Sequence, residues 1–228
     1  MTRQWQPGPP ASRSMVMSTK GLVCSPSPMA ASTGLTILAN GGNAFDAAIA
    51  VAAVEAVTLP SMCGIGGEVF AIMHHANTGK LHGLTSTGPS PRGATPEYYR
   101  SKGYNHVPFS GPLAASPPGE VAAYQLINDR FGTIPLAKLL EPAIGYAEEG
   151  FALPQRVGRI FANSGQTLAE FPNTAASFLN NGQPFGPGDL FVHKNLANTL
   201  RRIAAGGADE FYRGGLARDI AKGFREAG

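Results

Sequence analysis

The chain has 228 residues, of which 43% are hydrophobic and 14% are charged. This composition is sufficient for a buried core and excludes an intrinsically disordered protein. The net charge is only +3, and the basic residues are scattered without interleaved aromatic residues, which argues against nucleic acid as a partner. No apolar run approaches the roughly 20 residues that cross a membrane, so no membrane partner is expected.

Residues 1–19 are predicted to form a flexible leader, because three prolines interrupt them and they lack the continuous apolar region of a secretory signal. The absence of such a signal favours a cytoplasmic location. Residues 20–228 are predicted to form one domain. Cys24 and Cys63 are the only cysteines, and two widely separated cysteines do not indicate a disulfide framework.

The first predicted elements are a strand over 20–25 and a helix within "SPMAASTGLTILANGGN", which should end at Gly41 because glycine accepts the left-handed conformation of a helix C-cap. Asn43 can then cap a second helix over 44–59, with Asp46 three residues later completing a variant of the capping box. This second helix is apolar nearly all round, which is typical of a buried helix.

Three glycines follow in the stretch "SMCGIGGEVF" over 61–70. A phosphate-binding loop needs its glycines after a strand and before a helix, whereas here a helix precedes them and a strand follows. We therefore interpret Gly64, Gly66 and Gly67 as a tight corner, which allows the chain to turn from the buried helix into a β-hairpin.

The hairpin is predicted from "EVFAIMHH" and "KLHGLTST", which flank turn residues at 76–79. His74 and His82 could oppose each other across it, but no third ligand with suitable spacing is visible, so no metal site is predicted. The rest of the chain is mainly helical, with loops at 102–118 and 180–189. Helices are predicted over 96–101, 119–131, 135–149, 155–170, 192–205 and 214–226. The order of elements indicates an α+β fold.

The residues themselves offer few candidates for catalysis. There is no G-x-S-x-G motif, and Cys63 precedes the glycine turn without an evident histidine partner, which favours a structural role. The acidic pairs Glu148-Glu149 and Asp209-Glu210 lie at predicted helix ends or faces, where acidic residues are usually solvated.

The segment "MAASTGLTILANGGNAFDAAIAVAAVEAVTLPSMCGIGGEVFAIMHHANTGKLHGL" resembles the N-terminal part of the large subunit of the gamma-glutamyltransferase family. Later stretches agree in the same order, among them "ATPEYY", "PPGEVAAYQL", "FGTIPLAKLLEPAIGYAEEGF" and "LANTLRRIAAGGADEFYRG". The resemblance runs from about Gly21 to the end of the chain, and several motifs in the right order make it specific.

The resemblance implies part of a four-layer αββα fold of the N-terminal-nucleophile hydrolases. Members of the family are precursors that cleave themselves, and the new N-terminal threonine of the small subunit becomes the nucleophile. They hydrolyse or transfer the gamma-glutamyl group of glutathione and related amides, and relatives act on other amides such as cephalosporin side chains. No cofactor is expected, and the expected partners are the small subunit and a small-molecule amide.

Two departures from the family pattern affect the expected activity. The catalytic threonine of the family lies beyond position 228, so we expect this chain alone to be inactive. Family members with glutamyl activity also carry an arginine just after the hairpin, which binds the substrate α-carboxylate through a bidentate fork. Its place falls at Thr87 to Pro89, where no arginine stands. Thr87 and Gly88 are therefore candidate substrate-binding residues, and Arg92 is the nearby cation that could substitute.

The sequence thus supports an incomplete large subunit of an amide hydrolase or acyltransferase. A related acylase with another amide substrate is an alternative, and so is a non-catalytic remnant that serves as a structural or interaction module. A truncated domain would expose apolar surface on the helices and the hairpin that normally face the small subunit, and such surface promotes association.

Overall fold

A computed structural model describes residues 15–227, in which nine α-helices form most of the structure. They are α1 Pro28–Ala39, α2 Ala44–Thr58, α3 Pro96–Ser101, α4 Glu120–Phe131, α5 Leu136–Glu149, α6 Gln155–Ala169, α7 Pro172–Phe178, α8 Lys194–Tyr212 and α9 Gly215–Ala227. A short 3-10 turn lies between α3 and α4, and no helix in the described range is both long and apolar enough to cross a membrane. The predicted leader lies outside the described residues up to position 14.

Six strands form three antiparallel pairs within the described range. They are β1 Phe70–His75, β2 Lys80–Thr85, β3 Phe151–Ala152, β4 Leu179–Asn180, β5 Gln183–Pro184 and β6 Leu190–Phe191. The pair β1–β2 is the predicted hairpin, and the shorter pairs are β3–β6 and β4–β5. The predicted α+β composition is therefore confirmed, with helices predominant.

The capping residues explain where α1 and α2 begin. The Ser27 hydroxyl accepts a hydrogen bond from the amide of Ala30 at the start of α1. At the start of α2, the Asn43 side chain accepts from the amides of Phe45 and Asp46, and the Asp46 carboxylate accepts from the Asn43 amide. These reciprocal bonds form the predicted capping box, which satisfies amides that the helix itself leaves unpaired.

Helix α2 lies at the centre of the core, as its apolar sequence predicts. It packs against α1 and α5, and α5 packs in turn against α8. Ile49, Ala53, Val54 and Val57 of α2 are fully buried in the main hydrophobic cluster. Burying an aliphatic side chain of the size of Ile49 contributes about 1.5–3 kcal/mol, so α2 is a principal source of stability.

The β1–β2 hairpin buries one face and exposes the other. Met73 and His82 are opposite each other and half-buried, while His74 is opposite Leu81 on the outer face. His74 and His82 therefore lie on different faces, and the prediction that they could oppose each other is wrong. On the outer face, Phe70, Ile72 and Leu81 are 72%, 82% and 69% exposed. The hairpin thus presents an apolar surface to solvent.

Three sequence predictions differ from the structure. Residues 20–25 form no strand, because no other strand of the described part lies alongside them, and Val23 contacts α1 near Gly34 instead. Helix α7 was not predicted, and the predicted loop 180–189 contains part of the β4–β5 pair. Helix α8 continues to Tyr212 through a kink at Gly207, whose positive φ of 61° glycine accepts without strain.

Candidate substrate-binding site

Three segments meet beside the glycine corner: the corner itself, the loop after β2 and the loop before α4. The Gly67 carbonyl accepts hydrogen bonds from the amides of Gly119 and Glu120, at 2.9 and 3.0 Å. The Gly67 amide donates to the Gly64 carbonyl at 2.8 Å and closes the turn. The corner is therefore attached directly to the first turn of α4.

The loop after β2 joins the same junction through Ser86. Its hydroxyl accepts from the Val69 amide at 2.7 Å, and its amide donates to the Val69 carbonyl at 3.0 Å. A Cβ on Gly119 would lie only 1.8 Å from the Ser86 carbonyl oxygen. Only glycine fits at position 119 while the two loops remain in contact.

The structure brings two of the three predicted substrate-binding residues to this junction. The exposed Thr87 hydroxyl donates to Glu68 Oε2 at 2.7 Å, and Ser116 donates to Glu68 Oε1 at 3.1 Å. Gly88 is half-buried, and a Cβ there would lie 3.2 Å from the Pro117 carbonyl oxygen. Glu68, which sequence reasoning missed, thus holds the Thr87 loop in place.

The third predicted residue, Arg92, lies exposed farther along the loop and forms no ion pair with the described residues. It does not line the cavity at the glycine corner. The binding roles assigned to Thr87, Gly88 and Arg92 remain predictions.

A cavity of about 510 Å³ opens beside the glycine corner. Glu55 of α2, Cys63 of the corner, Glu68 and Glu120 contribute its ionisable lining, and no lysine, arginine or histidine of the described residues lines it. The sequence does not signal this cluster, because Glu55 and Glu120 are 65 positions apart and a glutamate in the first turn of a helix is ordinary.

Glu120 is the most deeply buried of these carboxyl groups, with only 6% of the residue exposed. Burial raises its pKa to about 7, the negative charge of Glu55 adds to the rise, and the hydrogen bond from the Tyr124 hydroxyl opposes it. Burial and the neighbouring Glu120 also raise the pKa of Tyr124, so this hydroxyl stays protonated and donates. The site therefore holds a carboxyl group that titrates near neutral pH.

Cys63 is a neutral thiol in this environment. Burial raises its pKa, and the negative charges of Glu55 and Glu120 raise it further. A reactive cysteine requires the opposite shift, since the thiolate is the nucleophile. The structural role inferred from the sequence agrees with this geometry.

A serine- or threonine-histidine nucleophile is not assembled in the cavity either. Among residues 15–227, one side-chain hydroxyl is hydrogen-bonded to a histidine ring, that of Thr78 to His75 at 2.9 Å. This pair lies at the hairpin turn, away from the cavity lining. The described residues of the junction therefore supply no activated hydroxyl.

These features define a mainly helical α+β domain with a glycine corner, a hairpin and a polar loop junction. The family model for gamma-glutamyltranspeptidase matches residues 30–228. The chain therefore belongs to the gamma-glutamyltranspeptidase family, as the ordered sequence motifs predict.

Individual relatives agree with this assignment. The chain is 37% identical over 214 residues to the glutathione hydrolase-like YwrD proenzyme of Bacillus subtilis (strain 168). The matched region covers 93% of this chain and 40% of the relative. It therefore spans well under half of that proenzyme.

Solved structures support the same fold. The Helicobacter pylori gamma-glutamyltranspeptidase matches with a TM-score of 0.88 and 34% identity, covering 93% of this chain and 62% of that one. A cephalosporin acylase from Bacillus halodurans matches with a TM-score of 0.87 and 34% identity, covering 96% of this chain and 42% of that one.

Proposed function

We propose that this chain forms part of the large subunit of an amide hydrolase or acyltransferase that acts on gamma-glutamyl compounds such as glutathione. The match to the family model over residues 30–228 carries this proposal, and the similarity to a glutathione hydrolase-like proenzyme and to a gamma-glutamyltranspeptidase supports the reaction class. In this proposal the domain is part of a four-layer αββα N-terminal-nucleophile hydrolase in the cytoplasm. The nucleophilic threonine comes from a small subunit, so the chain alone is inactive.

The outer face of the hairpin is the proposed contact with the small subunit. Phe70, Ile72 and Leu81 are all largely exposed there, and an apolar β-surface of this kind is usually covered in a complete protein. The Bacillus subtilis relative is a proenzyme, which is consistent with a partner made from the same precursor.

The loop junction is the part of the proposed substrate site that this chain supplies. The Thr87 hydroxyl donates to Glu68, which lines the cavity, and Gly88 lies close to Pro117 in the neighbouring loop. In this proposal Arg92 moves toward the substrate and binds its carboxylate, since a guanidinium offers two parallel donors.

A related acylase with a different amide substrate is the second candidate function. The similarity to the cephalosporin acylase supports it, and so does the lack of an arginine at Thr87 to Pro89. The third candidate, a non-catalytic remnant, predicts a stable fold without amidase activity.

The test is expression of the full-length coding region that contains this chain. Mass spectrometry should detect self-cleavage that leaves an N-terminal threonine, and the product should hydrolyse a gamma-glutamyl anilide. Hydrolysis of another acyl amide alone would favour the acylase, whereas an uncleaved and inactive product would favour the remnant.

The role of Arg92 is tested in the same protein. Arg92→Ala should raise the KM for a gamma-glutamyl substrate about tenfold or more, with a smaller change in kcat. Arg100→Ala, an exposed arginine of α3, is the matched control and should leave KM unchanged. Equal KM values for both variants would remove Arg92 from the site.

A further inference from the structure

We propose that Tyr212 is a positioning residue, whose hydroxyl group holds the loop before α4 and, through that loop, the candidate substrate-binding residues Thr87 and Gly88. The inference rests on the proposed function, because it assigns a residue of α8 to the organisation of the same site. Tyr212 does not line the cavity at the glycine corner, so it acts through the loop and not on a ligand in that cavity.

The Tyr212 hydroxyl forms hydrogen bonds in both directions. It donates to the Pro118 carbonyl oxygen at 2.9 Å and accepts from the Ala122 amide at 3.1 Å. Pro118 lies just before α4, and Ala122 belongs to the first turn of that helix. One side-chain oxygen thus joins the end of the loop to the start of the helix, although the two residues lie 94 and 90 positions earlier in the chain.

The first turn of α4 depends on acceptors from outside its own sequence. A helix leaves its first amides unpaired, and a serine, threonine, aspartate or asparagine at the N-cap usually satisfies some of them. The N-cap of α4 is Gly119, which forms no side-chain bond of this kind. Instead, the Gly67 carbonyl accepts from the Glu120 amide, and the Tyr212 hydroxyl accepts from the Ala122 amide. Tyr212 therefore supplies a cap that the local sequence lacks.

The loop itself offers little else to hold Pro118. Pro117 and Pro118 have no amide proton, so neither can donate a backbone hydrogen bond. Within the part of the chain that the structure describes, the Pro118 carbonyl accepts one hydrogen bond, which comes from Tyr212. Removal of that hydroxyl should therefore free the end of the loop.

The loop transmits this restraint to the candidate substrate-binding residues. Pro117 lies against Gly88, where an added Cβ would be 3.2 Å from the Pro117 carbonyl oxygen. One residue earlier, the Ser116 hydroxyl donates to Glu68, which also accepts from the Thr87 hydroxyl. A displacement of the loop would therefore move the groups that fix Gly88 and Thr87.

The kink in α8 accompanies the close approach of its end to α4. At Gly207 the backbone has a φ of 61° and a ψ of −158°, a combination that is essentially restricted to glycine. A Cβ on Gly207 would lie 2.8 Å from Gln125 Oε1, and the Ala208 amide donates to the same oxygen at 3.4 Å. The end of α8 is thus bonded to α4 through both Ala208 and Tyr212.

The surroundings of Tyr212 keep its hydroxyl protonated. Burial raises its pKa, the hydrogen bond from the Ala122 amide opposes the rise, and the negative charge of Glu120 adds to it. A phenol with a raised pKa retains its proton at neutral pH, so it can donate to Pro118 while it accepts from Ala122.

The first experiment measures site-resolved amide hydrogen exchange in the full-length protein. Tyr212→Phe keeps the ring and removes only the hydroxyl. Exchange at Ser86, Gly119 and Glu120 should become about tenfold faster or more, because the bonds of these amides to Val69 and Gly67 depend on a fixed loop. Faster exchange at Ala122 alone would limit Tyr212 to capping α4 and overturn the inference. Equally faster exchange in every helix would show a general loss of stability and would also overturn it.

Tyr99→Phe is the matched control. The Tyr99 hydroxyl also donates to a backbone carbonyl at 2.9 Å, that of Leu113, so this variant loses a similar bond. Tyr99 belongs to α3 and forms no bond to the loop junction in the described range. Exchange at Ser86, Gly119 and Glu120 should therefore remain unchanged in this variant.

Steady-state kinetics of the full-length protein give a second readout. Tyr212→Phe should raise the KM for a hydrolysed amide about fivefold or more and change kcat less, because the loop is proposed to bind the substrate while the small subunit supplies the nucleophile. Tyr99→Phe should leave KM unchanged. A lower unfolding temperature for Tyr212→Phe with an unchanged KM would make Tyr212 a structural residue only and overturn the inference.

Together the two measurements separate this inference from the proposed function. Unchanged exchange at Ser86 and an unchanged KM in an active protein would overturn the inference while the hydrolase function stands. Faster exchange at Ser86 in a protein that hydrolyses no amide would support the control of the loop by Tyr212 and count against the hydrolase function.

Discussion

The Asp46 carboxylate accepts hydrogen bonds from both the backbone amide and the hydroxyl of Thr133, at 3.0 and 2.6 Å. It also accepts from the amides of Asn43 and Ile134. One fully buried side chain thus caps α2 and fixes the loop between α4 and α5. Burial alone would raise the Asp46 pKa, but the hydrogen bonds outweigh it and hold the pKa below its ordinary value.

Asp46→Asn should lower the free energy of unfolding by about 2–3 kcal/mol, because an amide cannot accept all the hydrogen bonds of the carboxylate. Urea unfolding measures the change. Asp129→Asn is the control, since Asp129 accepts an exposed hydrogen bond from Gln125 and should matter little. The unsubstituted protein should also lose this stabilisation as the pH falls through the pKa of folded Asp46. The hydrogen bonds favour the ionised carboxylate, so protonation weakens them. Equal unfolding midpoints for the two variants would contradict the assigned role.

Gly119→Ala should disrupt the loop junction and destabilise the protein by about 3 kcal/mol or more. The added Cβ would overlap the Ser86 carbonyl oxygen at 1.8 Å, and a backbone atom cannot rotate out of the way. Gly93→Ala is the matched control, because nothing lies within 4 Å of a Cβ there. Thermal unfolding should separate the two variants clearly, and a Gly119→Ala protein as stable as Gly93→Ala would show that the two loops are not in contact.

The stability of the protein should fall as the pH rises from about 4.5 to about 7 because of Glu120. The raised pKa means that the folded state binds the proton more tightly than the unfolded state, whose carboxyl group ionises near 4.5. Below this range the Glu120 carboxyl group is protonated in both states, and it does not lower the free energy of unfolding. Above this range the loss of free energy of unfolding is complete and is of the order of 3 kcal/mol.

The measurement is the free energy of unfolding in urea at several pH values across this range. Glu120→Gln should flatten the curve, since the glutamine side chain does not titrate. Glu97→Gln should retain the fall seen in the unsubstituted protein. A Glu120→Gln curve with an unchanged slope would assign the pH dependence to other groups.

The outer face of the hairpin should make the isolated chain self-associate. The double variant Phe70→Thr and Ile72→Thr keeps β-forming residues while removing apolar area, so it should lower the apparent mass in light scattering. Thr85→Val, an exposed change on the same face, should not lower it. A monomeric unsubstituted chain would contradict this role for the face.

Local signals in the sequence predicted most of the fold. The capping box of α2, the apolar run that follows it and the turn of the hairpin each lie within a short stretch, so propensity and periodicity identify them. The β4–β5 hairpin has a local signal that was missed, the two-residue turn Asn181-Gly182, in which both residues have positive φ. The β3–β6 pair was missed because Phe151 and Phe191 are 40 positions apart and their pairing depends on tertiary contacts. The strand predicted over 20–25 failed for the same reason, since β-propensity alone does not supply a neighbouring strand.

The candidate site was less accessible to sequence reasoning. Thr87 and Gly88 could be located because the family motif fixes their place after the hairpin, but their anchor, Glu68, belongs to another segment. The role of Glu120 depends on its burial beside Gly67, 53 positions earlier in the chain. Long-range packing of this kind leaves no local pattern.

The shared carboxylate of Asp46 also bears on synthesis at the ribosome. Three of the four hydrogen bonds that it accepts come from Thr133 and Ile134, almost 90 positions later. While the chain is being translated, α2 can form its own first turn, but this acid lacks most of its donors until the later loop has left the exit tunnel. The N-terminal helices should therefore remain loosely ordered during elongation and become firmly fixed only when residue 134 emerges.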